Sequence, residues 1–481
     1  MELLVGAAQA SGLSGVGFHR RGRLCYIQTV LVMRKIHFVL SLLCAVLCLG
    51  ASAADTNVLV WHKAADRVDA DIHGEPLWPL LEDIARQTGW HIFVEPGATR
   101  NASAKFSDLP SGDALRMLLG KLNFALVPET NGPLRLYVFT TRMENATQPV
   151  RVPRAPARHV PNELLVKVKP GTDMDALAKL LGAKITGRND KLGIYRLQFS
   201  DADSTDAALG QLKNNSDATA VDYNYIYDAP PAAQQIANAS IGPVSLTLNP
   251  SGDSGKVIVG LIDTPVQSLD SSLEQFLLKE LSVVDGAGAG GSDPTHGTAM
   301  AETILRALAA ASGGSTSAQI LPVDVYGASE NTTSWNVALG IQAAVDNGAT
   351  VLNLSLGGAG DSSVLDSVIQ QAIALGIPVF AAAGNDSSSQ PTYPAAVTGV
   401  IAVTATQGSE LASYANYGSD VEIALSGTSI FYLNGTAYLV QGTSVSTAYA
   451  AGAAAGNKTS TTLTWAQIVA AMEKKFPVPQ K

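Results

Sequence analysis

Beyond Ser254 the chain alternates two hydrophobic patterns. Nearly unbroken apolar runs, KVIVGLID (256–263), AQILPVDV (318–325), ATVLNLSL (349–356), IPVFAAA (377–383) and GVIAVTA (399–405), alternate with segments such as 335–345 and 363–374, whose apolar residues recur at helical spacing. A short continuous apolar run is a strand covered on both faces, and the interleaved helices supply the cover. The pattern therefore predicts an α/β fold, a parallel sheet with helices on both faces. In such sheets the chemistry gathers at the carboxyl ends of the strands. Upstream the elements are shorter. Leu77, Leu80, Leu81, Ile84 and Ala85 keep helical spacing, Gly89 stops that helix, and Trp90 to Val94 reads as a strand. A second helix from Gly112-Asp113 through Leu119 and a strand from Leu134 to Thr140 complete one small α+β unit. From 160 to 229 strand, helix and strand alternate again, with a helix over Ala207 to Leu212 and ATAVDYNYIYD (218–228) as an edge strand. Two small α+β domains thus precede the sheet.

The N-terminus changes the picture of where the protein acts. From Met33 the text reads MRKIHFVLSLLCAVLCLGASAAD, a basic start, an apolar run and the small residues Ala51-Ser52-Ala53, which is the layout of a secretory signal cleaved after Ala53 or Ala54. Residues 1–32 sit awkwardly upstream, so translation is expected to start at Met33. No other long apolar run follows, so no membrane span is expected once the signal is removed. Cys25, Cys44 and Cys48 all lie in the removed segment, which leaves no disulfide, thiolate metal site or cysteine nucleophile. Removing five basic and one acidic residue from 32 and 41 leaves 27 and 40, a net charge near −13 that argues against nucleic acid as a partner. The resulting organisation is 1–54 leader and signal, 55–147 first α+β domain, 148–159 Pro-rich linker, 160–229 second α+β domain, 230–253 linker, and 254–481 the α/β domain.

The two small domains carry resemblances of their own. Residues 55–147 resemble the secretin and TonB-receptor short N-terminal domain, which implies a protein partner in the cell envelope; an unrelated small α+β unit would show the same apolar pattern. Residues 160–229 resemble the propeptide of subtilisin-like proteases, through Pro161, Glu163, Val166, Lys167, Lys169 and Gly171 in the arrangement P-x-E-x-x-V-K-x-K-x-G. The ferredoxin-like fold this implies hosts many functions, so position before the α/β domain carries the weight.

Four residues of the α/β domain suggest chemistry. Asp263 ends the strand VIVGLID, where a buried carboxylate needs a donor or caps the following turn. His296, in DPTHGTAMAETI, precedes a helix and is the only histidine after His159. Asn385, in AAAGND, ends another strand; it offers an amide donor, or a turn residue in the left-handed region. Ser444, in QGTSVSTAYAAGAAAG, opens a helix of small residues, as an N-cap or as a nucleophile beside free backbone N–H groups. Each has an ordinary structural reading alone; together, at strand ends and helix starts of one sheet, they support acyl transfer by Ser, His and Asp.

With LIDT at Asp263, HGT at His296, LNLSLGG at Leu352–Gly358, AAAGN at Asn385 and GTSVS at Ser444, in that order, the segment resembles the subtilisin-like serine proteases. The resemblance implies Asp263 as orienter, His296 as base then acid, Ser444 as nucleophile and Asn385 as oxyanion donor. It implies that Ser355, Leu356, Gly357 and Gly358 pair with an extended polypeptide substrate. Thr392, in QPTYPAAV, stands where the family commonly has a glycine at the base of the main specificity pocket, which implies small or medium apolar residues before the cut. The sequence departs from the family at Pro265 for Gly, at Ala299 and Glu302 for His and Gly, and at Ala448-Tyr449 for Pro-His. ALAAASGGSTSAQ (307–319) lacks the family's asparagine-rich calcium loop, so no metal and no cofactor are expected. GAGAGG (286–291) fits a dinucleotide motif on paper but leads into SDPTHGT rather than a helix, so it reads as a loop.

The expectation is a secreted or periplasmic serine endopeptidase made as a precursor, its own propeptide acting as inhibitor. Self-cleavage is expected between Tyr227 and Asn249, with Pro230-Pro231 ending strand pairing beyond the cleft. The alternative is an inactive envelope scaffold of the same fold. A sedolisin-type enzyme is disfavoured, because His296 and Asn385 fill the positions where that group has Glu and Asp.

Overall fold

The computed structural model describes residues 57–479 apart from 130–131, 151–155, 238–241, 243, 250–255, 287–290 and 292. The signal reading, the Met33 start, the three cysteines, and parts of both linkers and of the GAGAGG loop lie outside the described residues.

The first unit contains strands β1 (Val58–His62), β2 (Arg67–Pro76), β3 (His91–Val94), β4 (Asn101–Pro110), β5 (Asn123–Glu129), β6 (Gly132–Phe139) and β7 (Gln148–Pro149), with helices α1 (Leu77–Thr88) and α2 (Ser111–Leu119). They form two sheets, ordered β1-β2-β4 and β5-β6-β3-β7. The helical stripe Leu77, Leu80, Leu81, Ile84 and Ala85 is the buried face of α1 and packs with Leu115, Leu118 and Leu119 of α2 in one core.

The second unit has β8 (His159–Val168), α3 (Met174–Leu180), β9 (Lys184–Asn189), β10 (Ile194–Gln198), α4 (Ala202–Lys213) and β11 (Ala218–Asp228). Helix α4 starts five residues before the expected Ala207 because Asp201 caps it, accepting from Ser204 N at 2.7 Å. One face of the sheet covers α3 and α4 through Leu164, Val166 and Leu197. From the other face, Leu165 and Ile194 join the core of the α/β unit.

After two short pieces, β12 (Gln234–Gln235) and β13 (Thr247–Leu248), come β14 (Ile258–Asp263), α5 (Ser271–Glu274), β15 (Leu281–Ser282), α6 (His296–Ser312), β16 (Ser315–Thr316), β17 (Gln319–Asp324), β18 (Asn331–Thr333), α7 (Ser334–Asp346), β19 (Val351–Leu354), α8 (Ser363–Ala374), β20 (Val379–Ala382), β21 (Ile401–Gln407), β22 (Glu410–Leu411), β23 (Ile423–Ser426), β24 (Thr428–Leu433), β25 (Thr436–Gln441), α9 (Thr443–Ser460) and α10 (Trp465–Lys475). The main sheet runs β15-β17-β14-β19-β20-β21 in parallel, with β23 parallel and β22 antiparallel to β21. Its order reverses beside β14, the switch point at which α/β sheets open a crevice. One face carries α6, α9 and α10, the other α7 and α8. The alanines of α9 serve closeness: a Cβ on Gly452 would lie 2.5 Å from the carbonyl oxygen of Ile304 on α6.

Two expectations change. Strand β11 is not a free edge, because Ile226, Tyr227 and Asp228 pair antiparallel with Thr333, Thr332 and Asn331 of β18. Its bare N–H and C=O groups thus find partners in the α/β unit. The stop expected at Pro230-Pro231 is only local: the β11–β18 ladder ends at Asp228, before the prolines, and pairing resumes beyond them. Gln234 and Gln235 pair with Leu439 and Tyr438 of β25, since two prolines interrupt a ladder only where their own N–H groups are missing.

Candidate active site

Asp263 closes β14 and His296 opens α6. The two meet because α6 starts hard against the strand end: Gly297 N donates to Thr264 Oγ1 at 2.8 Å, and a Cβ on Gly297 would overlap the Thr264 carbonyl oxygen. The Thr295 side chain caps the helix, accepting from Thr298 N at 3.1 Å. His296 Nδ1 lies 2.8 and 3.0 Å from the two oxygens of Asp263, and both side chains are buried. A carboxylate only accepts, so Nδ1 carries the proton and Nε2 is left as an acceptor. Thr264 N also donates to Asp263 Oδ1, at 2.7 Å, so the carboxylate both caps the following turn and meets the imidazole.

Ser444 is the second residue of α9. It is not the N-cap; that position is Gly442, with no side-chain hydrogen bond. Its hydroxyl instead donates to the carbonyl of Ser355 at 3.2 Å, while Ser355 Oγ donates to the carbonyl of Ser444 at 3.0 Å. Rotation about the Ser444 Cα–Cβ bond redirects the hydroxyl, and nucleophile–base hydrogen bonds commonly tighten only when substrate arrives. Asn385 follows β20 and is not left-handed, the positive φ angles of this loop falling on Gly384 and Ser387. Its Oδ1 accepts from Thr443 N at 2.9 Å and Thr443 Oγ1 at 3.1 Å. That fixes the amide with Nδ2, the donating end, free beside the N-terminus of α9.

The residues expected to hold substrate lie alongside. Ser355 follows β19 directly. Gly358 forms a two-way bridge with Tyr393, and Leu356 is buried in the core that takes Tyr227. Thr392 is buried, with Oγ1 accepting from Asn416 Nδ2 at 3.1 Å and its methyl carbon 3.0 Å from where a Gly357 Cβ would stand.

The second unit meets this site. Tyr227 is fully buried, with its ring against Gly358 and its hydroxyl donating to the carbonyl of Gly360 at 3.0 Å. Ala229 N donates to the carbonyl of Glu330 at 2.8 Å. Two residues of β11 also satisfy helix N-termini that the sequence did not single out. Asn224 Oδ1 accepts from Trp335 N at 3.1 Å and Ser334 Oγ at 3.3 Å on α7, its own Nδ2 held by Glu163 Oε2 at 2.7 Å. Asp222 Oδ2 accepts from Ser363 N at 2.7 Å and from Ser363 Oγ on α8. Behind them Asp366 shares a hydrogen bond with Asp361, and burial first, then Asp361, pushes its carboxyl up to about 7.

Of the departures, Glu302 matters electrostatically. It is buried on α6 with Oε1 unpartnered; burial, reinforced by Asp270 and opposed by Arg306, pushes its carboxyl up to about 7. Among the described residues, no group of three or more His, Cys, Asp or Glu is placed to hold a metal ion, and no helix is long and apolar enough to cross a membrane. Thr443 and Asn416 were missed in the sequence: Thr443 is legible only as part of GTS, and Asn416 has no local signal.

Comparison with known proteins gives the same lineage. The model of the subtilase family matches residues 254–477, and that of the fervidolysin N-terminal prodomain matches 145–224. Thermitase of Thermoactinomyces vulgaris is 35% identical over 202 residues, 41% of this chain and 72% of that protein. Subtilisin Savinase of Lederbergia lenta is 36% identical over 185 residues, 37% of this chain and 66% of its own length. The crystal structure of fervidolysin from Fervidobacterium pennivorans, described as a keratinolytic enzyme related to subtilisin, superposes with a TM-score of 0.50 at 18% identity. That match covers 63% of this chain and 55% of that one, and speaks for the fold alone. A subtilisin-like sheet, a prodomain ahead of it and relatives of this similarity make the chain a member of the subtilase family, a serine-type endopeptidase made as a precursor.

Proposed function

We propose that peptide bonds are hydrolysed here by Ser444 as nucleophile, His296 as general base and then acid, and Asp263 as its orienter. The observation that carries this is the buried Asp263–His296 pair, with Nδ1 2.8 Å from a carboxylate oxygen. Ser444 gives its proton to His296 Nε2 as Oγ attacks the carbonyl carbon. Asn385 Nδ2 and the Ser444 N–H at the start of α9 receive the negative charge on the former carbonyl oxygen, and His296 then protonates the leaving amine. Ser355 to Gly358 align the substrate chain, and Thr392 shortens the pocket that takes the side chain before the cut.

Residues 160–229 are an inhibitory propeptide. The support is the path of the chain: β11 runs along β18, and the polypeptide then crosses to β25, whose next residues are Gly442 to Ser444. Continuing the β12–β25 register brings Ala229, Pro230 and Pro231 abreast of Ser444, Thr443 and Gly442. The bond nearest the nucleophile is therefore Ala229–Pro230, whose nitrogen carries no hydrogen for pairing and whose ring fixes φ. Cleavage then falls later in the linker, between Ala232 and Asn249. The enzyme acts outside the cytoplasm, secreted or in a periplasm, and residues 55–147 form a secretin/TonB short N-terminal-like domain that binds an envelope protein.

A fluorophosphonate probe, which reacts only with an activated serine, tests the central assignment. It should label the wild type once its propeptide is removed and leave Ser444→Ala unlabelled. Equal labelling of both removes Ser444 as nucleophile.

A further inference from the structure

Asn416 lies on the loop after β22, remote in sequence from every residue of the proposed mechanism, and is 2% exposed. Its amide is saturated. Nδ2 donates to the carbonyl of Ala383 at 2.9 Å and to Thr392 Oγ1 at 3.1 Å. Oδ1 accepts from Asp386 N at 2.9 Å and Ser388 N at 3.0 Å. Two N–H donors on one side and two oxygens on the other fix which way the amide points, since a flipped side chain would face donor to donor and acceptor to acceptor. The backbone adds Asn416 N donating to the carbonyl of Gly384 at 3.0 Å, and Thr404 Oγ1 on β21 donating to the Asn416 carbonyl.

These bonds bracket one residue. Ala383, Gly384, Asp386 and Ser388 flank Asn385, and each is held by Asn416. Gly384 has φ +105°, and a Cβ there would overlap Asn416 Nδ2. The loop is thus built around this amide. Another partner, Thr392, belongs to the proposed floor of the specificity pocket.

We propose that Asn416 is a positioning residue: it holds the backbone that aims Asn385 Nδ2 at the oxyanion, and ties that aim to Thr392, so that the oxyanion donor and the pocket floor move as one unit. The proposal rests on the oxyanion reading of Asn385. It gives Asn416 no contact with substrate; its effect passes through Asn385.

The test is a double-substitution cycle on the full chain, with turnover counted per fluorophosphonate-reactive serine after the propeptide is removed. Asn416→Asp keeps Oδ1 but sets an oxygen against the Ala383 carbonyl. It should lower kcat by about 10-fold or more in the wild-type background and by less than about 3-fold when Asn385 is already alanine, because the group it aims is gone. Thr392→Val keeps the shape of the side chain and removes only the Oγ1 acceptor. It should lower kcat as well as alter KM, and the kcat part should vanish in the Asn385→Ala background; it also serves if Asn416→Asp fails to fold. Equal factors in both backgrounds, or a Thr392→Val change confined to KM, overturn the proposal while leaving the oxyanion reading standing. An undiminished kcat for Asn385→Ala alone removes the oxyanion reading and this proposal with it.

Discussion

Asn385 separates orientation from chemistry most cleanly. Replacing it with alanine removes the Nδ2 donor together with the acceptor for Thr443, and breaks neither hydrogen bond of the Asp263–His296 pair. Asn385→Ala should cost about 10²–10³ in kcat with KM little changed, as expected of a donor that acts only on the developing oxyanion. Steady-state kinetics on a peptide amide checks this, and a change confined to KM would make Asn385 a ground-state contact. Thr392 gives a different readout. Thr392→Gly should extend acceptance to Phe and Tyr before the cut, as read from a peptide library. A parent that already prefers large aromatics would place the pocket floor elsewhere.

At the level of elements, α6 carries a cost within its own length. Glu302 has a higher affinity for its proton in the folded chain, where burial pushes it from 4.5 to about 7, than in the unfolded one. Below about pH 4 both states hold the proton and the group is neutral to stability. As pH rises from there to about 7 the unfolded state ionises first, so stability falls, and above 7 the loss is complete. A tenfold difference in proton affinity is worth about 1.4 kcal/mol, so the loss is on the order of 3 kcal/mol. Glu302→Gln should therefore raise the melting temperature at pH 8 and leave it nearly unchanged at pH 4, measured in the Ser444→Ala background to prevent autolysis. A gain of the same size at both pH values would point to packing instead. The N-termini of α7 and α8 are held across the interface by Asn224 and Asp222. Asn224→Ala and Asp222→Ala should each loosen the propeptide, by about 1 kcal/mol for a lost cap, and raise the activity of the uncut precursor.

For the molecule as a whole, the proposed inhibitory role rests on the chain's path from β11 to β12, and it predicts a cut made by the chain itself. Wild type should shorten with time, while Ser444→Ala stays at the length left by signal removal. The N-terminus of the mature fragment should fall beyond Pro231, as read by Edman degradation or mass spectrometry. A mature chain starting at Pro230 would contradict this reading, and equal shortening of Ser444→Ala would assign the cut to another protease. The same path explains why β11 is paired at both edges: the propeptide completes its own sheet with β8 and lends its outer edge to β18.

The sequence by itself determined the five central strands and main helices of the α/β unit and named the candidate site residues. Runs such as KVIVGLID must be buried on both faces, which leaves a parallel sheet, and Asp263, His296, Asn385 and Ser444 sit in short motifs whose order is carried by the chain itself. The start of α4 was misplaced because a cap works through one side-chain oxygen and leaves no periodic trace. Tertiary structure alone decided the rest: the Asn416 amide, the caps supplied by Asn224 and Asp222, the pairing of β11 with β18, and the return of the linker to β25. Each depends on hydrogen bonds between residues far apart in sequence, and nothing local in a lone asparagine or a pair of glutamines says which distant N–H or C=O folding will bring within about 3 Å.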